Sequence, residues 1–299
     1  MTSIASGRAA HAGSDPAVSA DHKIAVWAGR LAVLAAVLAF WTSARAAETD
    51  AVSLPGAEVR LLSAGGSGAT REAGIEIRLQ PHYKTYWRYP GDSGVPPLIS
   101  FEGSQNVADV KVGWPAPRRF SDGSDGFSIG YKSSVLFPLT VTLKDPAQPA
   151  RLDMVMDFAV CEKLCMPANA RLALELETTP DPAVAKRIAS ARAKVPEPAE
   201  LGAPGAPSIL SVRLDEGATP PQLVVEARVG TPMADLFVEG PDAHWALPLP
   251  QKTALPDGLA RFTLPLEGVP AGADPRAARL TFTLSDTPRS ITTQAVAQP

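Results

Sequence analysis

The sequence predicts an all-β protein made of two successive β-sandwiches. Three observations point there. Short runs of alternating apolar and polar residues recur from Ala57 to Leu284, the period-two signature of half-buried strands. Glycine and proline, 23 and 30 of the 299 residues, punctuate those runs and supply turn chemistry. Within this span helical spacing occurs once, directly after Asp181.

The N-terminus has a different pattern. Lys23 and Arg30 precede an apolar run from Leu31 to Phe40, and small residues follow at Ala44 and Ala46. That order predicts a secretory signal peptide over residues 1–46, cleaved after Ala46. Its removal takes away Arg8, Lys23, Arg30 and Arg45 against Asp15 and Asp21, moving the formal net charge from -3 to -5. The acidic balance lacks the basic footprint of a nucleic-acid-binding surface. No later segment approaches the roughly 20 apolar residues of a membrane-spanning helix. The mature protein is therefore expected to be soluble and exported.

The first sandwich is expected over residues 47–180. Strands are predicted at 58–62, 74–79, 97–101, 107–112, 127–129, 135–143, 151–160 and 170–177, separated by turn-rich stretches such as Trp114-Pro-Ala-Pro117 and Ser121-Asp-Gly-Ser-Asp-Gly126. Seven or eight short strands at this spacing indicate a sandwich. Pro81 to Gly94 stands apart. It carries four aromatics in a chain with only 6% of them, which predicts a packed corner or a recognition surface.

A helix is expected next, with Asp181 as N-cap, Pro182 in its first turn, Val184, Ile188 and Val195 on one face, and Pro196 as its stop. The Pro, Gly and Ala-rich run to Ser208 reads as a linker, so 181–208 separates the two halves. Strands at 209–214, 222–229, 234–238, 260–266 and 279–284 then build a smaller β domain over 209–299. It has no cysteine, and a docking or structural role is its expected part.

Both cysteines of the chain, Cys161 and Cys165, lie in Phe158-Ala-Val-Cys-Glu-Lys-Leu-Cys-Met-Pro167, where one predicted strand hands over to the next. As a structural bridge the pair is poorly placed. A loop of about five residues removes on the order of 2 kcal/mol of unfolded-state entropy, against about 4.7 kcal/mol for a 100-residue loop. A redox pair needs a thiolate, which Lys163 favours and Glu162 opposes. A Cu(I) site is a third reading, with Cys161, Cys165 and Met166 as soft donors and His82 as a distant one. Cys-x-x-x-Cys-x-Pro is similar to the motif of the copper-delivering Sco proteins, although Met166 here separates the second cysteine from the proline. His82 and His244 are the histidines beyond the leader, and neither a phosphate loop nor a nucleophile elbow is present, which argues against a hydrolase.

Four motifs in order carry a family resemblance. They are His82-Tyr-Lys-Thr-Tyr-Trp-Arg-Tyr-Pro-Gly-Asp-Ser-Gly94, Trp114-Pro-Ala-Pro-Arg-Arg-Phe120, Ile129-Gly-Tyr131 and Val160-Cys-Glu-Lys-Leu-Cys-Met-Pro167. Together they resemble the N-terminal periplasmic domain of DsbD-type protein-disulfide reductases, in the branch that includes ScsB-like proteins. The resemblance implies an immunoglobulin-like sandwich whose cysteine pair passes electrons to periplasmic substrates. It makes Cys165 the residue that forms the mixed disulfide and Cys161 its resolving partner, with no cofactor beyond the redox-active disulfide. Tyr83 and Tyr86 fall in the aromatic stretch that it places beside the pair, as shielding or tuning groups. A loop capping the thiols is also implied, and Ser121 to Gly126 is the candidate. The cysteine spacing is narrower than in the best-known members. These 299 residues include neither a membrane domain nor a thioredoxin-like domain, so the electron donor is expected to be a CcdA-like membrane carrier or a thioredoxin-like periplasmic protein. The alternatives are a copper-binding or copper-tolerance protein and a non-catalytic interaction module with a structural disulfide.

Overall fold

The computed structural model describes residues 47–91, 94–121 and 126–298. The expected leader lies outside them, as do residues 122–125 of the expected capping loop. The first strands are β1 (Val52–Leu54), β2 (Ala57–Gly65), β3 (Thr70–Leu79), β4 (Lys84–Gly91), β5 (Leu98–Ser100) and β6 (Val107–Val112). Then come β7 (Arg118–Ser121), β8 (Phe127–Lys132), β9 (Ser134–Leu143), β10 (Arg151–Cys161) and β11 (Cys165–Glu175). Helix α1 (Pro182–Arg192) follows, and then β12 (Glu197–Pro198), β13 (Ser208–Asp215), β14 (Gln222–Arg228) and β15 (Asp235–Glu239). The chain closes with β16 (Gln251–Ala254), β17 (Leu259–Pro265), β18 (Leu280–Ser285) and β19 (Ile291–Ala295).

These strands form four sheets. One runs β1-β2-β3-β9-β6, and the sheet packed on it runs β11-β10-β4-β8-β7, with β5 also paired to β10. Together they are an immunoglobulin-like sandwich. The second sandwich sets β12-β19-β18-β15 against β13-β14-β17-β16. Residues Ala46–Pro299 pack as one compact unit.

The alternation in the sequence explains the first core. On β9 the odd residues Val135, Phe137, Leu139, Val141 and Leu143 all point inward, and on β10 Met154, Met156, Phe158 and Val160 meet them. Trp114 and Tyr131 pack edge-on to Phe137, with ring centroids at 5.0 and 5.5 Å. Helix α1 starts as expected, since Asp181 accepts from the backbone N–H groups of Ala183 and Val184 and Pro182 needs no donor of its own. Val184 and Ile188 bury against Leu62 and Ala64, and Arg187 ties the helix to Glu48 and Glu76. Val195 lies beyond the helix end.

Several strands are not announced by periodicity. β4 occupies the aromatic stretch expected as a packed corner or a recognition surface; Thr85, Tyr86 and Trp87 are all buried, so both faces are covered and alternation vanishes. β7 is a short, polar strand at the edge of its sheet. Within the expected linker, Glu197 and Pro198 pair in parallel with Ile291 and Thr292 of β19. That segment therefore joins the second sandwich's sheet instead of hanging free.

β15 also has two buried faces, each with its own partner. Leu236 and Val238 enter the core of the second sandwich, whereas Phe237 belongs to the core of the first.

Candidate functional site at the cysteine hairpin

β10 and β11 form an antiparallel hairpin in unbroken register from Arg151 opposite Glu175 to Cys161 opposite Cys165. The two cysteines are the last pair before the turn of Glu162, Lys163 and Leu164. Directly opposed residues share a face and lie close, which is why three intervening residues suffice. The cysteines are disulfide-bonded, with Cα atoms 4.1 Å apart.

Burial divides the pair. Cys161 is 1% exposed, whereas Cys165 is exposed on the outer strand. The even residues of β10, Phe158 and Val160, enter the sandwich core, so Ala159 and Cys161 face away from it. Tyr86 covers them. Its hydroxyl donates to Cys161 Sγ at 3.0 Å and lies 3.1 Å from Cys165 Sγ. One phenol thus touches both sulfurs.

The strand that supplies Tyr86 is held in place by its backbone and its neighbours. Thr85 pairs with Val160 and Lys84 with Cys161, and the Thr85 hydroxyl donates to the Ala159 carbonyl at 2.9 Å. The chain returning from β4 then crosses the tyrosine. A Cβ on Gly94 would lie 2.3 Å from Pro90 Cβ and 2.8 Å from Tyr86 Cδ1, so only a glycine lets this segment lie against the ring. It leads to Val95 and Leu98, which are 49% and 67% exposed.

The remaining predicted residues are placed as follows. The Tyr83 ring closes over Gly56, where a Cβ would fall 2.4 Å from its Cδ1, and packs against the sandwich core. Met166 pairs with Val160; as the neighbour of Cys165 on a strand it points to the opposite face. His82 sits exposed in the turn before β4 with a φ of 73°. Among the described residues no group of three or more His, Cys, Asp and Glu side chains gathers in a metal-binding arrangement. Glu162 and Lys163 are both exposed in the turn.

Residues 51–177 match the model of the N-terminal domain of the thiol:disulfide interchange protein DsbD. This stretch is a DsbD N-terminal-like domain. Among solved structures, the chain is similar to the N-terminal periplasmic domain of ScsB from Proteus mirabilis, with 26% identity and a TM-score of 0.67. That match covers 84% of this chain and 98% of the other. Such coverage exceeds what residues 51–177 supply, so the likeness takes in the second sandwich. A conserved domain protein from Bacillus anthracis aligns over 81% of this chain and 77% of its own at 9% identity and a TM-score of 0.25, too low to support any argument. No curated protein matches the sequence.

In this DsbD N-terminal-like domain the register adds residues that sequence reading missed. Lys84 faces Cys161 across β4, and Lys132 faces Lys84 from β8, so two lysines share the row of the sulfurs. Lys84 Nζ donates to Ser128 Oγ at 2.7 Å. Once β4 is recognised as a strand, Lys84 and Tyr86 share a face by alternation. Leu164, at the hairpin tip, is 81% exposed. Along the β10–β11 hairpin a mostly apolar groove of about 280 Å³ is lined by Val95, Pro96, Leu98, Phe158, Pro167 and Ala168, with Asp157 and Asn169 as its polar members. The β10–β11 register sets Phe158 against Ala168, and the β5–β10 pairing brings the distant Leu98 to them. Among the described residues no helix is long and apolar enough to cross a membrane.

Proposed function

We propose that this protein is an exported thiol-disulfide exchange module that passes electrons through Cys161 and Cys165. The observation that carries the reading is the asymmetry of the pair: Cys165 is exposed and Cys161 is buried beneath Tyr86. An incoming disulfide can therefore reach Cys165 alone. In the reduced protein the Cys165 thiolate attacks a partner disulfide, forming a mixed disulfide and releasing one partner thiolate. The Cys161 thiolate then attacks Cys165 Sγ, restores the intramolecular disulfide and releases the second partner thiol. Two electrons leave the pair in each cycle, and a dithiol donor must return them.

Tyr86 suits this chemistry. A hydroxyl that donates to sulfur favours the thiolate over the thiol, and the lysine row adds positive charge on the same face. The reading supported by the family is a thioredoxin-like partner. Leu164, Leu98 and Val95 offer the exposed apolar surface on which it would dock. A CcdA-like membrane carrier is the other proposed donor, and the periplasm is the proposed location. The location is supported by the likeness to a periplasmic domain of ScsB, and the carrier by the DsbD-type resemblance alone.

Trapping tests the exchange. Cys161→Ala should accumulate a mixed disulfide through Cys165 with a thioredoxin-like protein, and Cys165→Ala should not. If Cys161→Ala forms no adduct with any oxidised periplasmic partner, the exchange reading fails. A reduction potential below about -300 mV, the range of structural bridges, would argue against it independently.

A further inference from the structure

We propose that the second sandwich is a positioning module for the cysteine pair: its strand β15 holds the bulge of β4 that sets the Tyr86 hydroxyl over the two sulfurs. The inference rests on reading the Tyr86 contact as part of the exchange chemistry.

The geometry begins with a register slip. Tyr86 pairs with Gly130 of β8, but the next pairing joins Gly91 to Ser128. Trp87, Arg88, Tyr89 and Pro90 thus pass a single residue of β8, Ile129, with more chain than the ladder can pair, a bulge that begins where Tyr86 ends. The β4–β8 register skips these residues, and groups of another element reach them.

Those groups come from the second sandwich. Phe237 and Trp87 are both 0% exposed, with ring centroids 5.9 Å apart. Arg88 donates from Nε and Nη2 to the two carboxylate oxygens of Glu239, each at 2.8 Å, and its guanidinium lies 4.4 Å from the Trp87 ring centroid. The Tyr89 hydroxyl donates to the Leu247 carbonyl at 2.6 Å. Alongside, Arg119 of β7 makes the same fork to Asp235 at 3.0 and 2.7 Å. One face of β15 therefore reads acid, phenylalanine, acid and meets arginine, tryptophan, arginine. Planar forks of this kind fix orientation as well as distance.

Each bulge residue from Trp87 to Tyr89 thus has a partner in the second sandwich, and Tyr86 is the next residue along a planar peptide. Loosening the brace should let the phenol move off the sulfurs while the hairpin stays intact. Among the described residues, the charged groups on the strands and turn that carry or flank the pair include Lys84 on β4, Lys132 on β8, Asp157 on β10, and Glu162 and Lys163 in the turn. A neutral substitution at Phe237 changes none of them.

The test is a double-mutant cycle on the full chain, read as the pH profile of iodoacetamide alkylation of reduced Cys165. Phe237→Ala should raise the midpoint by about half a pH unit and slow alkylation at neutral pH about threefold, as the thiolate fraction falls. Phe237→Leu should shift it less. In a Tyr86→Phe background neither substitution should shift the profile further, because the group they position is gone. Circular dichroism identifies a variant that does not fold; if Phe237→Ala is one, Phe237→Leu carries the same cycle. An unchanged profile, or an equal shift with and without the Tyr86 hydroxyl, would overturn the proposal. Alkylation needs no partner, so this outcome is independent of whether trapping succeeds.

Discussion

The two sandwiches follow the same rules inside and differ outside. Each buries a period-two apolar core, with Phe137 and Leu139 in the first and Phe262 and Phe282 in the second, all 0% exposed. The first sandwich sets its disulfide on an outer sheet face, where Cys161, Cys165, Tyr86 and Lys84 share adjacent registers. The second sandwich uses one outer strand face to grip its neighbour. The difference shows that a core specifies a scaffold, while the chemistry depends on what the outward residues meet.

That contrast can be broken most sharply at the cysteines. Replacing Cys165 with alanine should abolish exchange with any disulfide partner while leaving the melting temperature within a few degrees, since a five-residue loop contributes only on the order of 2 kcal/mol. Insulin-type disulfide reduction and a thermal melt on the same sample would check both halves. A core substitution in the second sandwich should do the reverse. Phe282→Ala removes a fully buried ring and should cost about 3–5 kcal/mol by denaturant titration, with exchange intact in the folded fraction.

A smaller effect is expected at the apolar surface. Leu164→Ser should slow reaction with a thioredoxin-like protein about tenfold, equivalent to about 1.4 kcal/mol, yet leave reduction by a small dithiol unchanged. Equal slowing of both reactions would show that Leu164 acts on the disulfide itself instead of on docking.

The smallest effect concerns Tyr131, which sits beside the braced region. Burial pushes its phenol well above the ordinary value of 10.0, with the Arg88 guanidinium pulling it down and Glu239 pushing it up. The unfolded chain ionises near the ordinary value, so the folded state keeps this proton to higher pH. Its contribution to stability is complete below about pH 10 and is lost as pH rises through the folded value. Tyr131→Phe should flatten the alkaline fall of the melting curve. At neutral pH it should cost about 1 kcal/mol for the lost hydrogen bond to the Pro115 carbonyl.

Much of the scaffold is legible in the chain. β6 spans the residues expected of it, and β9 and β10 differ from expectation by one residue at an end; β9 and β10 each have a dry face that alternation records, and β6 packs its valines partly buried against the same core. Asp181-Pro182 marks the start of α1 for an equally local reason. The site is only half legible. The cysteines are visible by rarity, and the aromatic stretch by composition and resemblance. Which tyrosine meets the sulfurs is not visible, because β4 is covered on both faces and shows no period.

By itself, then, the sequence determined two all-β sandwiches, a strand-to-strand handover bearing both cysteines and a kinship with DsbD N-terminal domains, since these depend on local periodicity and on residue identity. Only the tertiary structure decided that Cys161 is the buried sulfur, that Tyr86 touches both, and that Phe237 crosses from one sandwich into the core of the other. Those facts depend on strand register and on contacts between residues far apart in the chain. A one-dimensional pattern does not encode which face of a strand, covered on both sides, meets which neighbour.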